Sequence, residues 1–143
     1  MSTHDFTALP YADGEFDVVC YDPPYIPQGG TGYSALDEFR NRFGLLQRNE
    51  DGLLGTIMAG ASEAARVTHP DGVLCVKAMD FVNGGRFRDW TYRIHAHLIE
   101  LGMVLHDEVI HNAGSGPGGH NIEAAKRARR CHSKLLVFTW SHR

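Results

Sequence analysis

The segment Asp22-Pro23-Pro24-Tyr25 brings a carboxylate, two consecutive prolines and an aromatic ring together in four residues. An ionised carboxylate only accepts hydrogen bonds, and the Pro23 carbonyl is a second acceptor on a backbone that the prolines hold stiff. Two acceptors at a fixed spacing suit a planar amine with two N–H bonds. Such an amine on adenine or cytosine is a poor nucleophile, because its lone pair is delocalised into the ring. Holding both N–H bonds turns that lone pair toward an electrophile, and the Tyr25 ring offers a face to a base swung out of its stack. The plainer reading of the tetrad is a strand-ending turn with an exposed Asp and Tyr.

The elements around it favour a positioned site. After the turn signal Asp13-Gly14, residues Glu15 to Tyr21 read as a short apolar strand of the kind buried on both faces in parallel sheets. The prolines end it, and the C-terminal end of a parallel strand is where open α/β sheets place ligands. Residues 26–44, with Gly29, Gly30, Gly32 and Gly44, read as a long loop with one short helical turn. Leu53, Leu54, Ile57, Met58, Ala61 and Ala65 recur at helical spacing, so Glu50 to Thr68 is expected to be an amphipathic helix ended by Pro70-Asp71-Gly72. A second strand is expected over Val73 to Met79. Phe87, Trp90, Ile94, Leu98 and Leu101 mark a second helix, with Gly102 as its C-terminal cap. Strands follow over Met103 to Ile110 and Lys134 to Trp140, joined by a Gly-rich and then basic connection. This order predicts an α/β fold, mostly parallel, with one late antiparallel strand near the sheet edge.

With 143 residues, 43% of them apolar, the chain has enough for a single domain with a real core. No apolar run approaches the roughly 18 residues of a membrane span, and Met1 to Pro10 does not read as a signal peptide, so a soluble cytoplasmic protein is expected. Cys20, Cys75 and Cys131 form no C-x-x-C pair, and their odd number argues against a secreted disulfide framework. The net charge of −3 is unevenly spread: residues 1–119 hold 8 Lys+Arg against 16 Asp+Glu, and residues 120–143 hold 6 against Glu123 alone. A basic end on an acidic body suits a local anion-binding surface. The nine histidines suggest no metal: His95 and His97 diverge on a helix, His106 and His111 face opposite sides of a strand, and no Cys/His set has zinc spacing.

The stretch Asp5-Phe6-Thr7-Ala8-Leu9-Pro10, followed by Phe16-Asp17-Val18-Val19-Cys20-Tyr21-Asp22-Pro23-Pro24-Tyr25, resembles the catalytic region of the adenine-N6/cytosine-N4 DNA methyltransferase family, in which a "D-x-x-x-L-P … F-D-x-V" segment leads into the catalytic strand. Gly72 to Lys77 resembles that family's next core strand, and His132 to Phe138 its late "H-S-x-L-L-V-F" strand. The resemblance implies S-adenosylmethionine as donor, methyl transfer to an exocyclic amine of DNA, and Asp22, Pro23, Pro24 and Tyr25 as the catalytic face. It also implies that Asp5 and Phe6 lie beside the adenine of the donor, with Asp22 bordering the donor as well. The plainer reading of Asp5 and Phe6 is an exposed N-terminal acid and one apolar anchor.

The chain departs from the family in one respect. Fifteen residues precede Phe16, too few for the Gly-rich donor-binding units that normally lie upstream, and Arg143 follows closely on the last strand. Residues 1–143 are therefore expected to be a single partial catalytic domain, the C-terminal half of a Rossmann-like S-adenosylmethionine-dependent methyltransferase sheet. Gly114-Ser115-Gly116-Pro117-Gly118-Gly119 fits G-x-G-x-x-G literally, but the fingerprint needs a helix opening on its last glycine and an acid about 20 residues on, where this chain has Thr139. It reads as a loop. The missing half would leave the catalytic strand as an apolar edge, so a cover is expected: a second copy of the chain, a separate donor-binding polypeptide, or the arm Met1–Ala12; the sequence equally suits a fragment of a longer gene product.

For nucleic acid, Lys126, Arg127, Arg129 and Arg130 are candidates for phosphate contact, against the reading of a solvated charged helix. Tyr33, Arg40 and Arg42, interleaved with Phe39 and Phe43, suit unpaired bases, though the two phenylalanines at i, i+4 equally suit a loop pinned to the core. Lys77 reads as a snorkelling surface lysine or as a contact to a substrate phosphate or donor carboxylate. Two rival functions stand beside DNA methylation. One is a catalytically silent module that binds nucleic acid or a partner; the other is amino-methylation of RNA or of a protein glutamine.

Overall fold

Asp13 and Gly14 turn the chain into the first strand, and Gly14 takes a φ of +66°, a conformation that favours glycine. Its N–H donates to the Arg66 carbonyl at 2.9 Å. In the computed structural model, which describes residues 4–24, 50–83, 86–112 and 132–141, this strand is β1, Phe16–Tyr21. Helix α1, Glu50–Val67, follows the expected stripe: Leu53, Ile57, Ala61, Ala64 and Ala65 are buried. At Gly60 the helix is so close to the Phe6 ring and the Tyr21 hydroxyl that an added Cβ would have to displace them.

Strand β2 spans Thr68–Ala78 and starts straight after the helix, five residues before the expected Val73. Pro70-Asp71-Gly72 does not end α1. It lies within an irregular stretch of strand, where the register with β1 jumps from Phe16↔Thr68 to Val18↔Val73. The exposed Pro70 breaks no ladder there. Gly72 is buried against β1, and a Cβ on it would sit 2.7 Å from the Asp17 carbonyl oxygen. Thr68, fully buried, donates its hydroxyl to the Ala64 carbonyl at 2.7 Å, and its own carbonyl accepts the Trp140 indole N–H at 3.1 Å.

A small antiparallel hairpin, β3 Phe81–Asn83 and β4 Arg86–Arg88, precedes the second helix. Phe87 belongs to this hairpin and is 45% exposed, so it is not the first residue of the helix stripe. The signal was present in Asn83-Gly84-Gly85, a hairpin sequence between two short β-prone runs. Helix α2, Trp90–Glu100, buries Trp90, Ile94 and Leu98, and the Trp90 ring meets Phe81 edge-on at 4.7 Å. Asp80, before the hairpin, accepts the Thr91 N–H at 2.9 Å and so caps the helix from a distance in sequence. Gly102 closes the helix as expected, with φ +96° and its N–H on the Ile99 carbonyl.

Strands β5, Met103–Asn112, and β6, His132–Trp140, complete a mixed four-stranded sheet of order β1-β2-β6-β5. β1 and β2 are parallel, and β6 runs antiparallel to both β2 and β5. The late reversed strand thus lies one position in from the β5 edge. Leu74, Val76, Ala78, Leu136, Phe138 and Met103 form one core with both helices, so α1 and α2 pack on the same face of the sheet. Val18, Val104 and Val109 project from the opposite face and stay exposed.

The expected double burial of β1 does not hold. It is an edge strand with Val18 63% exposed, and among the described residues no strand pairs with its outer side. Residues 4–12 of the N-terminal arm do not add that strand. They dock on α1, where Arg66 donates to the carbonyls of Leu9 and Tyr11, and Glu63 accepts the Leu9 N–H at 2.9 Å.

Candidate active site at the end of the first strand

β1 ends at Tyr21, whose side chain fixes the end of the strand against α1. Its phenol donates to the Ile57 carbonyl at 3.0 Å, and burial pushes its ionisation well above the ordinary tyrosine range. The Phe6 ring lies against it at 6.1 Å. Phe6, Tyr21, Gly60 and Ile57 therefore form a packed footing at the end of β1, immediately before Asp22-Pro23-Pro24 in the chain. Pro23 is buried and Pro24 half-buried, while Asp22 stands out in solvent.

The Asp22 carboxylate is oriented by a residue from the next strand. Lys77, near the end of β2, donates its ammonium to Asp22 Oδ2 at 3.0 Å, with both side chains roughly half exposed. Lys77 is thus a partner of the tetrad rather than a snorkelling lysine alone. Two parallel strands end side by side here, one supplying the carboxylate and the other its counter-ion. Tyr25, the fourth residue of the tetrad, lies outside the described residues, as do Tyr33, Arg40, Arg42, Lys126, Arg127, Arg129, Arg130 and the 114–119 glycine run.

Asp5 sits in a local turn. Its Oδ1 accepts the Thr7 N–H at 2.9 Å and the Thr7 hydroxyl at 2.7 Å, and these bonds hold its carboxyl below the usual carboxylate range. The structure therefore brings Phe6 onto the footing of β1 and leaves Asp5 exposed beside it as an ionised acceptor. Arg66 is the organising residue that sequence reasoning missed. It makes a two-pronged pair with Glu63 at 2.9 and 2.8 Å, reaches Asp13 at 2.7 Å, and so ties the whole 9–13 segment to α1. The i, i+3 spacing of Glu63 and Arg66 was the available signal.

One other constellation resembles a catalytic pair and is not one. Ser62 Oγ lies 2.8 Å from His97 Nε2, but the same hydroxyl donates to the Met58 carbonyl at 3.1 Å. With its single proton spent there, the serine accepts from His97 rather than being activated by it. The pair clasps α1 to α2. Among the described residues no group of three His, Cys, Asp or Glu side chains could hold a metal ion, and no helix is long and apolar enough to cross a membrane.

No family model matches the chain, and neither does any curated protein. Solved structures do. A protein of Thermus thermophilus, provisionally named a DNA modification methylase, superposes with a TM-score of 0.64 at 14% identity, over 98% of this chain and 54% of that one. The same protein complexed with S-adenosyl-L-methionine gives 0.60 at 16% identity, over 94% and 52%. PvuII DNA methyltransferase, cytosine-N4-specific, gives 0.60 at 16% identity, over 91% and 44%. The chain therefore has a fold like part of these methyltransferases and spans about half their length.

Proposed function

We propose that this chain is the substrate-facing, C-terminal half of an S-adenosylmethionine-dependent methyltransferase acting on an exocyclic amino group of a DNA base, adenine N6 or cytosine N4. The observation that carries this reading is Asp22-Pro23-Pro24 at the C-terminal end of a parallel strand, in a fold like that of the DNA modification methylases. Asp22 accepts one N–H of the amine and the Pro23 carbonyl the other, so that the lone pair faces outward. Lys77 positions the Asp22 carboxylate through Oδ2. Tyr25 stacks on the flipped base. As the amine nitrogen gains the methyl group, it loses a proton that Asp22 or water receives.

The donor supplies an electrophilic methyl group when bound. The residues present suit its adenine end: Phe6 offers an apolar ring, and Asp5 an exposed, ionised acceptor next to it. The Gly-rich turn of the remainder of such a fold would hold its other end. The outer side of β1, which no strand pairs among the described residues, then meets that remainder. The basic residues Lys126 to Arg130 and the loop with Tyr33, Arg40 and Arg42 follow the DNA backbone and the displaced base.

Methyl incorporation from labelled donor into DNA, RNA and protein, measured side by side, tests the reading. Incorporation into DNA that Asp22→Ala removes supports it; transfer to RNA or protein instead moves the substrate. A folded chain that neither binds the donor nor methylates, even with the donor-binding half of a related enzyme supplied, overturns it. The second reading, a silent binding module, predicts DNA binding without donor binding.

A further inference from the structure

Cys20 and Cys75 take no part in the chemistry proposed above, yet they lie one pleat from it. They are direct register partners across the parallel β1–β2 pair. Side chains at such partners leave the same face of the sheet. Parallel neighbours run about 4.8 Å apart, within the Cα separations of about 4.4–6.8 Å that disulfides accept. Both cysteines are unbridged, Cys20 exposed and Cys75 half-buried. β1 is an edge strand with an irregular register just before Val18, so it can give by the small amount that closure needs.

We propose that Cys20 and Cys75 are an oxidisable dithiol that closes reversibly to an intramolecular disulfide by exchange with a low-molecular-weight disulfide such as glutathione disulfide. The exposed Cys20 thiolate attacks one sulfur of the oxidant, forming a mixed disulfide and expelling one thiolate. The Cys75 thiolate then attacks the Cys20 sulfur and expels the second. Two protein thiols are oxidised to one disulfide, the small disulfide is reduced to two thiols, and the two protons pass to the departing thiolates. Burial, and then the neighbouring Cys20, push the Cys75 thiol up, which leaves the first attack to the exposed Cys20. The bridge would clamp β1 to β2 two residues before both Asp22 and Lys77. It therefore lies beneath the ion pair that orients the site.

The test uses the whole chain carrying Cys131→Ser, checked for native circular dichroism, so that the third cysteine cannot interfere. After native incubation with glutathione disulfide, remaining thiols are alkylated and the digest is read by mass spectrometry. The expected result is a peptide linking Cys20 to Cys75, with a mass lower by two hydrogens, restored by dithiothreitol and lost in Cys20→Ser and in Cys75→Ser. A persisting glutathione adduct on Cys20 with Cys75 still alkylated overturns the proposal. So do links formed only between chains, or both thiols remaining fully alkylated in the folded protein.

Discussion

Asp22 and Lys77 lie 55 residues apart in sequence and meet because two parallel strands end together. Both side chains are about half in water, so the pair adds little to stability, of the order of 0–1 kcal/mol. Its weight falls on the orientation of one carboxylate. We therefore expect Lys77→Met to leave the urea midpoint nearly unchanged while methyl transfer falls about tenfold, equivalent to about 1.4 kcal/mol of transition-state stabilisation. Equal transfer by the variant and the parent would remove Lys77 from the site. Tyr21 sets the opposite balance. Tyr21→Phe removes the hydroxyl that bonds the Ile57 carbonyl and should cost about 1 kcal/mol in urea unfolding, with the packing of Phe6 retained. The Asp22–Lys77 pairing was not legible in the sequence. Both residue types were visible, but their meeting depends on a register that no local spacing encodes.

At the level of elements, the Glu63–Arg66 clamp joins the N-terminal arm to α1. Hydrogen bonds from Arg66, and then from the Leu9 N–H, hold the Glu63 carboxyl below its ordinary range. A carboxyl lowered by folding stabilises the protein above its unfolded-state value, about 4.3, and loses that contribution as pH falls through the lower folded value. Urea midpoints should therefore drop more steeply below about pH 4.3 for the parent than for Glu63→Gln; parallel curves would mean that the clamp is not linked to folding. Gly72 guards the join of β1 and β2. Gly72→Ala pushes a methyl onto the Asp17 carbonyl and should cost about 1–3 kcal/mol in chemical denaturation. The elements that follow apolar periodicity, β1, α1, β5 and β6, were legible nearly to their ends. Two features were not. Pro70-Asp71-Gly72 reads as a break, and only pairing with β1 makes it part of a strand. Phe87 falls in line with Trp90 and Ile94 at helical spacing, and its pairing with Val82 across the β3–β4 hairpin overrides that pattern.

For the whole molecule, one strand carries both the candidate site and the exposed boundary. Both helices cover one face of the sheet, and β1 closes its end with Val18, on the other face, 63% exposed. Proteins that keep a strand at a permanent edge usually place lysine, proline or a bulge there. Phe16-Asp17-Val18-Val19-Cys20-Tyr21 carries Asp17 alone as a charge, which suits a strand that is covered in its working state. The match to only about half of each similar structure points the same way. In isolation the chain should therefore associate with itself, and sedimentation velocity should show a weight-average mass that rises with concentration. Val18→Lys should shift it toward monomer without lowering the thermal midpoint, because little of Val18 is buried. Leu74→Ala is the contrast: it empties a fully buried site on the neighbouring strand and should cost about 2–5 kcal/mol. A parent chain that stays monomeric at every concentration would show that β1 is tolerated as an open edge.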